Sequence, residues 1–232
     1  LRSPFSVLRS PFSVLRSPPM MPTTRRSTLA LILLLLIAGL PLSAVALEVQ
    51  DGDLLFVTAA RTGLSGAIDD ATRRDGQPSF DHVALVAYDT DRHVVLHADG
   101  EGSRQQPLDA FLDAAQARQR QVVVYRLRPI RRGTIPAAID QARRMLGRPY
   151  NHSYVQDEDS YYCSDFIERA FRSHTVFALQ PMNFRNPQTG EISGHWIALY
   201  RGMGMDVPQG LPGTNPNDMA ASPVLERVGT LE

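Results

Sequence analysis

The chain contains no lysine: all 24 basic residues are arginine, set against 24 acidic residues. The arginines form no run or stripe, so the electrostatic footprint of a nucleic-acid-binding protein is missing. There is one cysteine, Cys163. A lone thiol closes no internal disulfide and supplies none of the paired-cysteine spacings of zinc sites. It is either a small buried apolar residue or a thiol kept for chemistry. No acid precedes Glu48, and no long apolar run follows residue 46. The second absence excludes a membrane-spanning helix from the bulk of the chain.

The first residues carry a different signature. The unit LRSPFSV starts at Leu1, repeats from Leu8 and begins again at Leu15. Its seven-residue period invites a coiled coil, but a proline in every unit breaks any helix. Residues 1–19 read as a repeat artefact of upstream translation or a disordered extension, with Met20 or Met21 as the start. Arg25 and Arg26, the apolar stretch LALILLLLIAGLPL from Leu29, and Ala44-Val45-Ala46 then have the order of a secretory signal peptide over 20–46. The expectation is an exported, periplasmic protein. The alternative is an N-terminal membrane anchor, disfavoured by the short run, by Pro41 and by the A-x-A site. Five arginines and no acids precede residue 47, so 47–232 holds 19 arginines against 24 acids, a formal −5.

Residues 47–232 make one domain. GDLLFV from Gly52 predicts a strand after an Asp-Gly turn, and Thr62 to Arg74 a helix with Leu64, Ala67, Ile68 and Ala71 on one face. HVALVAY from His82 and HVVLHA from His93 predict a hairpin joined by DTDR. Further elements are a helix over Pro107 to Ala117 and a strand QVVVYRL from Gln121. A helix from Thr134, its cap, runs to Leu146 and is stopped by Gly147. Cys163 to Ser173 has helical period through Phe166, Ile167, Ala170 and Phe171. IALY from Ile197 and SPVLERV from Ser222 add short elements. The fold class is α+β: a small antiparallel sheet with helices on one side.

Cys163 follows a polar loop and opens a helix, where backbone N–H groups favour a thiolate and can meet an oxyanion. A cysteine nucleophile needs a base. His82 begins one hairpin strand and His97 nearly ends the other, so the hairpin brings them together. One would take the thiol proton and the other hold its ring. His93 lies at the far end of the hairpin. A zinc set of His82, His93 and His97 lacks the usual spacing and an acidic partner, so no metal site and no cofactor is expected. Asp157, Glu158 and Asp159 read as a solvated loop, or as a charge that discourages anionic substrates. His195 and Trp196 read as a packed cap or a cleft lining.

The stretches GDLLFV…FDHVALVAYDTDRHVVLHA and MLGRPYNHSYVQDEDSYYCSDFIERAF resemble the two halves of NlpC-type papain-like cell-wall peptidases, in reversed order. That order resembles the circularly permuted branch, the YiiX/YebB-like hydrolases. The resemblance implies a permuted papain-like fold with Cys163 as nucleophile, His82 as base and His97 as the orienting group. Tyr150, in GRPY, matches a tyrosine serving the oxyanion or substrate. Asp81 stands where the unpermuted enzymes often have Ser, and Ser164-Asp165 where they usually have Ser-Gly, which bears on substrate rather than chemistry. The implied function is an exported cysteine hydrolase, a peptidase or amidase. It would cleave an amide or ester through a thioester, on cell-wall peptides, with peptidoglycan as a candidate substrate, or on an acylated small molecule. Two alternatives stay open: a lipid acyltransferase or phospholipase of the lecithin–retinol type, which would bring a peripheral membrane contact, and a non-catalytic binding module of the same fold. An apolar groove beside Cys163 favours the first alternative; a polar cleft favours peptide cleavage.

Overall fold

The computed structural model describes residues 47–231; the repeat and the signal-like segment lie outside the described residues. Among the described residues no helix is long and apolar enough to cross a membrane. The elements follow in the order β1 (Leu54–Thr58), α1 (Gly63–Thr72), β2 (Phe80–Asp89), β3 (Arg92–Asp99), β4 (Gly102–Pro107), α2 (Leu108–Ala117) and β5 (Val122–Leu127). Then come α3 (Ile135–Arg144), α4 (Cys163–Phe171), β6 (Gln180–Pro181), α5 (Gly194–Gly202), β7 (Pro212–Gly213), α6 (Pro216–Ala220) and β8 (Leu225–Leu231). Six strands form one sheet in the order β4-β3-β2-β1-β5-β8, and every pairing is antiparallel.

The central strand explains the unbroken apolar run LLFV. Leu54 and Phe56 face one layer, and Leu55 and Val57 face the other. A strand covered on both faces needs no polar alternation. On the first face lie Val83, Leu85 and Leu96, packed by Ala138, Ile139 and Ala142 of α3 and by Phe166, Ile167 and Ala170 of α4. On the second, Ala84, Val86 and Val95 meet Phe111 and Ala115 of α2. Helices therefore cover both faces, not one as the sequence suggested. The amphipathic stripe of α2 was legible, but the side it would take was not.

Two further differences have local causes. Strand β4 was not foreseen because GSRQQP is polar: it is an edge strand, held to β3 and to the end of α3 through Ser103. The Ser103 hydroxyl donates to the Met145 carbonyl at 2.6 Å, and the Ser103 carbonyl accepts the Gly147 N–H at 2.7 Å. Thr134 does not cap α3 with its side chain. It ends a 3-10 turn over Pro129–Thr134, and its hydroxyl donates to the Arg131 carbonyl at 2.7 Å. IALY from Ile197 falls inside helix α5, and SPVLERV supplies β8, which pairs with β5.

Helix α4 is buried all round, including its polar positions Ser164, Asp165, Glu168 and Arg169. Charges there must be paired. Arg169 Nε donates to Asp165 Oδ1 at 2.9 Å, and another Arg169 nitrogen reaches Glu158 at 3.1 Å. Gln156 Nε2 donates to Asp165 Oδ1 at 2.6 Å, and Arg172 Nε to Glu168 at 3.0 Å. Glu158 thus ties its loop to α4. Asp159 pairs with Arg148 at 3.2 Å, and Asp157 Oδ1 accepts the Asp159 N–H at 2.6 Å. The acidic cluster is a loop staple whose charge is largely matched by arginine.

Asp53, fully buried at the start of β1, is held the same way. Arg126 donates to both of its oxygens, at 2.7 and 2.8 Å, and the Gln50 N–H donates to it at 2.8 Å. Removing one partner of such a pair strands the other charge. Arg126→Leu should therefore cost about 3 kcal/mol in urea unfolding, and Asp53→Asn/Arg126→Leu should recover part of that loss. A wild-type midpoint for the single variant would contradict this.

Candidate active site

Residue Tyr162 precedes α4 in extended conformation and caps it with no side-chain hydrogen bond, so the helix begins at Cys163. The apolar face of α4 packs on β2 and β3, and this seats the thiol against the start of β2. Cys163 Sγ lies 3.8 Å from the Asp81 carbonyl oxygen, and the Val83 backbone N–H also faces the sulfur. The thiol is thus beside the backbone on both sides of His82. Burial pushes the Cys163 thiol up to about 12, the nearby Asp81 charge adds to this, and the backbone N–H groups of Val83 and Ser164 offset only part. The sequence expectation of a favoured thiolate at the helix terminus is outweighed by desolvation.

The two histidines meet. His82 Nε2 and His97 Nδ1 are 2.9 Å apart, with the rings edge to face. In the β2–β3 register His97 sits one step inside His82, since Leu85 opposes Leu96; the two rings are diagonal neighbours on the face covered by α2, and both lie near Phe111. Burial lowers His82 to about 3, helped by the His97 ring, and lowers His97 to about 4. His97 Nε2 is buried without a hydrogen-bond partner among the described residues; Asp99 Oδ2 lies 3.9 Å from it. Arg104 holds Asp99 with contacts of 3.1 and 2.6 Å. Asp99 was missed in the sequence, although period two puts it on the same strand face as His97. His93 opposes Tyr88 at the other end of the hairpin, and among the described residues no three potential ligands gather for a metal ion.

Tyr150 sits at a junction. A single bridge to Tyr161 fixes it two residues before Cys163, through Asn151 N–H to Tyr161 carbonyl at 3.0 Å. Its hydroxyl faces the Cys163 backbone N–H, and burial holds the phenol well above its usual range, so it stays protonated. Tyr150, Ile68 and Asp81 line two clefts at once. One is a narrow apolar slot at Cys163, walled by Tyr154, Tyr162, Met182, Phe184 and Trp196. The other, about 390 Å³, contains His82 and His97 and sets charged side chains among apolar ones. Asp81, between them, is paired with Arg120. The slot was not legible, because its aromatic walls come from separate loops and helices with no period in sequence. Trp196 proves to be a wall residue whose Nε1 donates to the Ala67 carbonyl at 3.2 Å, while His195 is exposed.

Comparison with known proteins bears on this arrangement. No curated protein matches the chain. Among solved structures, the crystal structure described as metalloprotein YiiX from Escherichia coli O157:H7 superposes with a TM-score of 0.62 at 21% identity, covering 79% of this chain and 98% of that one. At that identity the likeness speaks for the fold. The model of the permuted papain-like amidase enzymes, the YaeF/YiiX or C92 family, matches residues 48–229, nearly everything the structure describes. The reversed order of the histidine and cysteine halves, the six-stranded antiparallel sheet and the thiol at the mouth of α4 are accounted for together: the chain belongs to the permuted papain-like amidases, a family of cysteine peptidases.

Proposed function

We propose that Cys163 is the nucleophile, His82 the general base and His97 its orienting group. The observation that carries this is the placement of the Cys163 sulfur against the Asp81–Val83 backbone while His82 Nε2 is engaged by His97 Nδ1. The ring nitrogen left to His82 is Nδ1, the one nearer the backbone that the sulfur touches. If His82 Nε2 carries the hydrogen, His97 Nδ1 accepts it and His97 Nε2–H points toward Asp99. This tautomer leaves Nδ1 of His82 as a lone pair for the thiol proton.

Both partners rest neutral, because burial opposes charge on each. Proton transfer from sulfur to His82 accompanies attack on the carbonyl carbon. The oxyanion develops at the Cys163 N–H and the protonated Tyr150, which donate to it. His82 then gives its proton to the leaving amine or alcohol, and a thioester remains on Cys163. Water, activated by the same imidazole, releases the acid.

The apolar slot beside the sulfur supports an acylated small molecule over a polar cell-wall peptide. It equally supports a second reading, transfer of the acyl group to a lipid acceptor, since the two reactions differ only in what attacks the thioester. Export is part of the proposal and rests on the signal-like order of residues 20–46. The metal named for the YiiX structure is not carried over: the two histidines face one another, and among the described residues they do not converge on a common point with a third ligand.

Treating the protein with p-nitrophenyl hexanoate should give a burst of nitrophenol and one acyl adduct, at Cys163, by mass spectrometry. Cys163→Ala should give none, and His82→Gln should slow adduct formation by about 10²- to 10⁴-fold. An adduct that forms at the same rate in His82→Gln would exclude His82 as the base.

The depressed histidines also set a stability profile. Their folded values, about 3 and about 4, lie below the unfolded value of about 6.5. Above pH 6.5 neither state binds their protons. As pH falls below 6.5 the unfolded chain takes them up first, so stability drops toward pH 4. Asp165, raised by burial to about 6, acts in the opposite sense over part of that range, one carboxyl against two imidazoles. Urea midpoints should be level from pH 7 to 8 and decline from pH 6.5 to 4.5, and His82→Gln/His97→Gln should flatten the decline. An unchanged slope in that double variant would contradict the assignment.

A further inference from the structure

The two clefts divide the substrate, and the division names its far end. Because the acid that protonates the leaving group is an imidazole, the leaving group must lie on the imidazole side of the sulfur, within the 390 Å³ cleft. The acyl part then enters the apolar slot. The leaving-group cleft is lined by three arginines, Arg104, Arg118 and Arg120, and two aspartates, Asp81 and Asp99. Arg104 is matched by Asp99 and Arg120 by Asp81. Arg118, immediately after the last residue of α2, forms no salt bridge among the described residues and is exposed to the cleft. The histidines contribute no charge, being buried and neutral. The cleft therefore carries one unmatched positive charge, on the side where the departing amine would sit.

We infer that Arg118 binds an anionic group on the leaving amine, so that the preferred substrate is an N-acyl amino acid with a free carboxylate. This rests on the roles given above to Cys163 and His82, which decide which cleft receives which half. An arginine fork matches a carboxylate with two parallel hydrogen bonds, and such charge-assisted contacts are strong enough to discriminate an acid from its neutral amide. The reaction balances as a hydrolysis: the amide C–N bond breaks, a C–S bond forms and is replaced by C–O from water, and the free amino acid leaves carrying the proton from His82.

Binding separates this inference from the chemistry. With Cys163→Ala protein, calorimetry should show N-hexanoylglycine binding at least about tenfold more tightly than N-hexanoylglycinamide. Arg118→Gln in the same background should bring the two within about twofold, and Arg118→Lys should keep part of the preference. Equal affinities in the parent, binding of neither ligand, or a preference untouched by Arg118→Gln would overturn the inference. The hexanoyl adduct on wild-type Cys163 reports separately: an enzyme that acylates but ignores the carboxylate loses only the role of Arg118. A protein that prefers the acid but never acylates keeps that role and loses the proposed catalysis.

Discussion

The seating of α4 on β2 is the constraint from which the rest follows. Phe166, Ile167 and Ala170 fill the face of the sheet made by Val83, Leu85 and Leu96, and that packing fixes where the helix begins. Because Cys163 is its first residue, the sulfur lands at the Asp81 carbonyl, on the backbone that leads into His82. Nothing local to the cysteine does this. The side chains that aim the thiol are core residues whose obvious role is burial, and a cavity made under α4 would displace the sulfur as well as weaken the fold.

Burial also sets the electrostatics of the site. A helix terminus and several backbone N–H groups face the sulfur, yet the lost hydration outweighs them, and the thiol and both imidazoles rest uncharged. The proposed catalysis would then depend on a chain of neutral donors and acceptors held in line rather than on a standing ion pair. The fixed charges lie at the edges: Asp99 with Arg104 behind His97, and Asp81 with Arg120 at the opening between the clefts.

Much of this was legible in the sequence, for reasons that can be named. The apolar runs from Leu54, Val83 and Val94 mark central strands, and the meeting of His82 with His97 follows from hairpin geometry alone. The family order of short motifs was readable because each motif carries a fixed local structure. What escaped was whatever lacks a period or an apolar signature. Strand β4 is polar because it is an edge. The second covered face of the sheet requires knowing where α2 returns. The aromatic slot is assembled from Tyr154, Tyr162, Met182, Phe184 and Trp196, which only the folded chain brings together. The burial of the polar residues of α4 escaped as well, because their partners Gln156, Glu158 and Thr214 lie outside the helix and are recognised only in the folded chain.

The proton path is the part of this account most open to direct measurement. Nitrogen-15 chemical shifts of the His82 and His97 rings at pH 7 report which nitrogen carries hydrogen and whether either ring is charged. The account expects two neutral rings, each protonated at Nε2, with His82 Nδ1 bare toward the thiol. An imidazolium at His82, or hydrogen on its Nδ1, would contradict it.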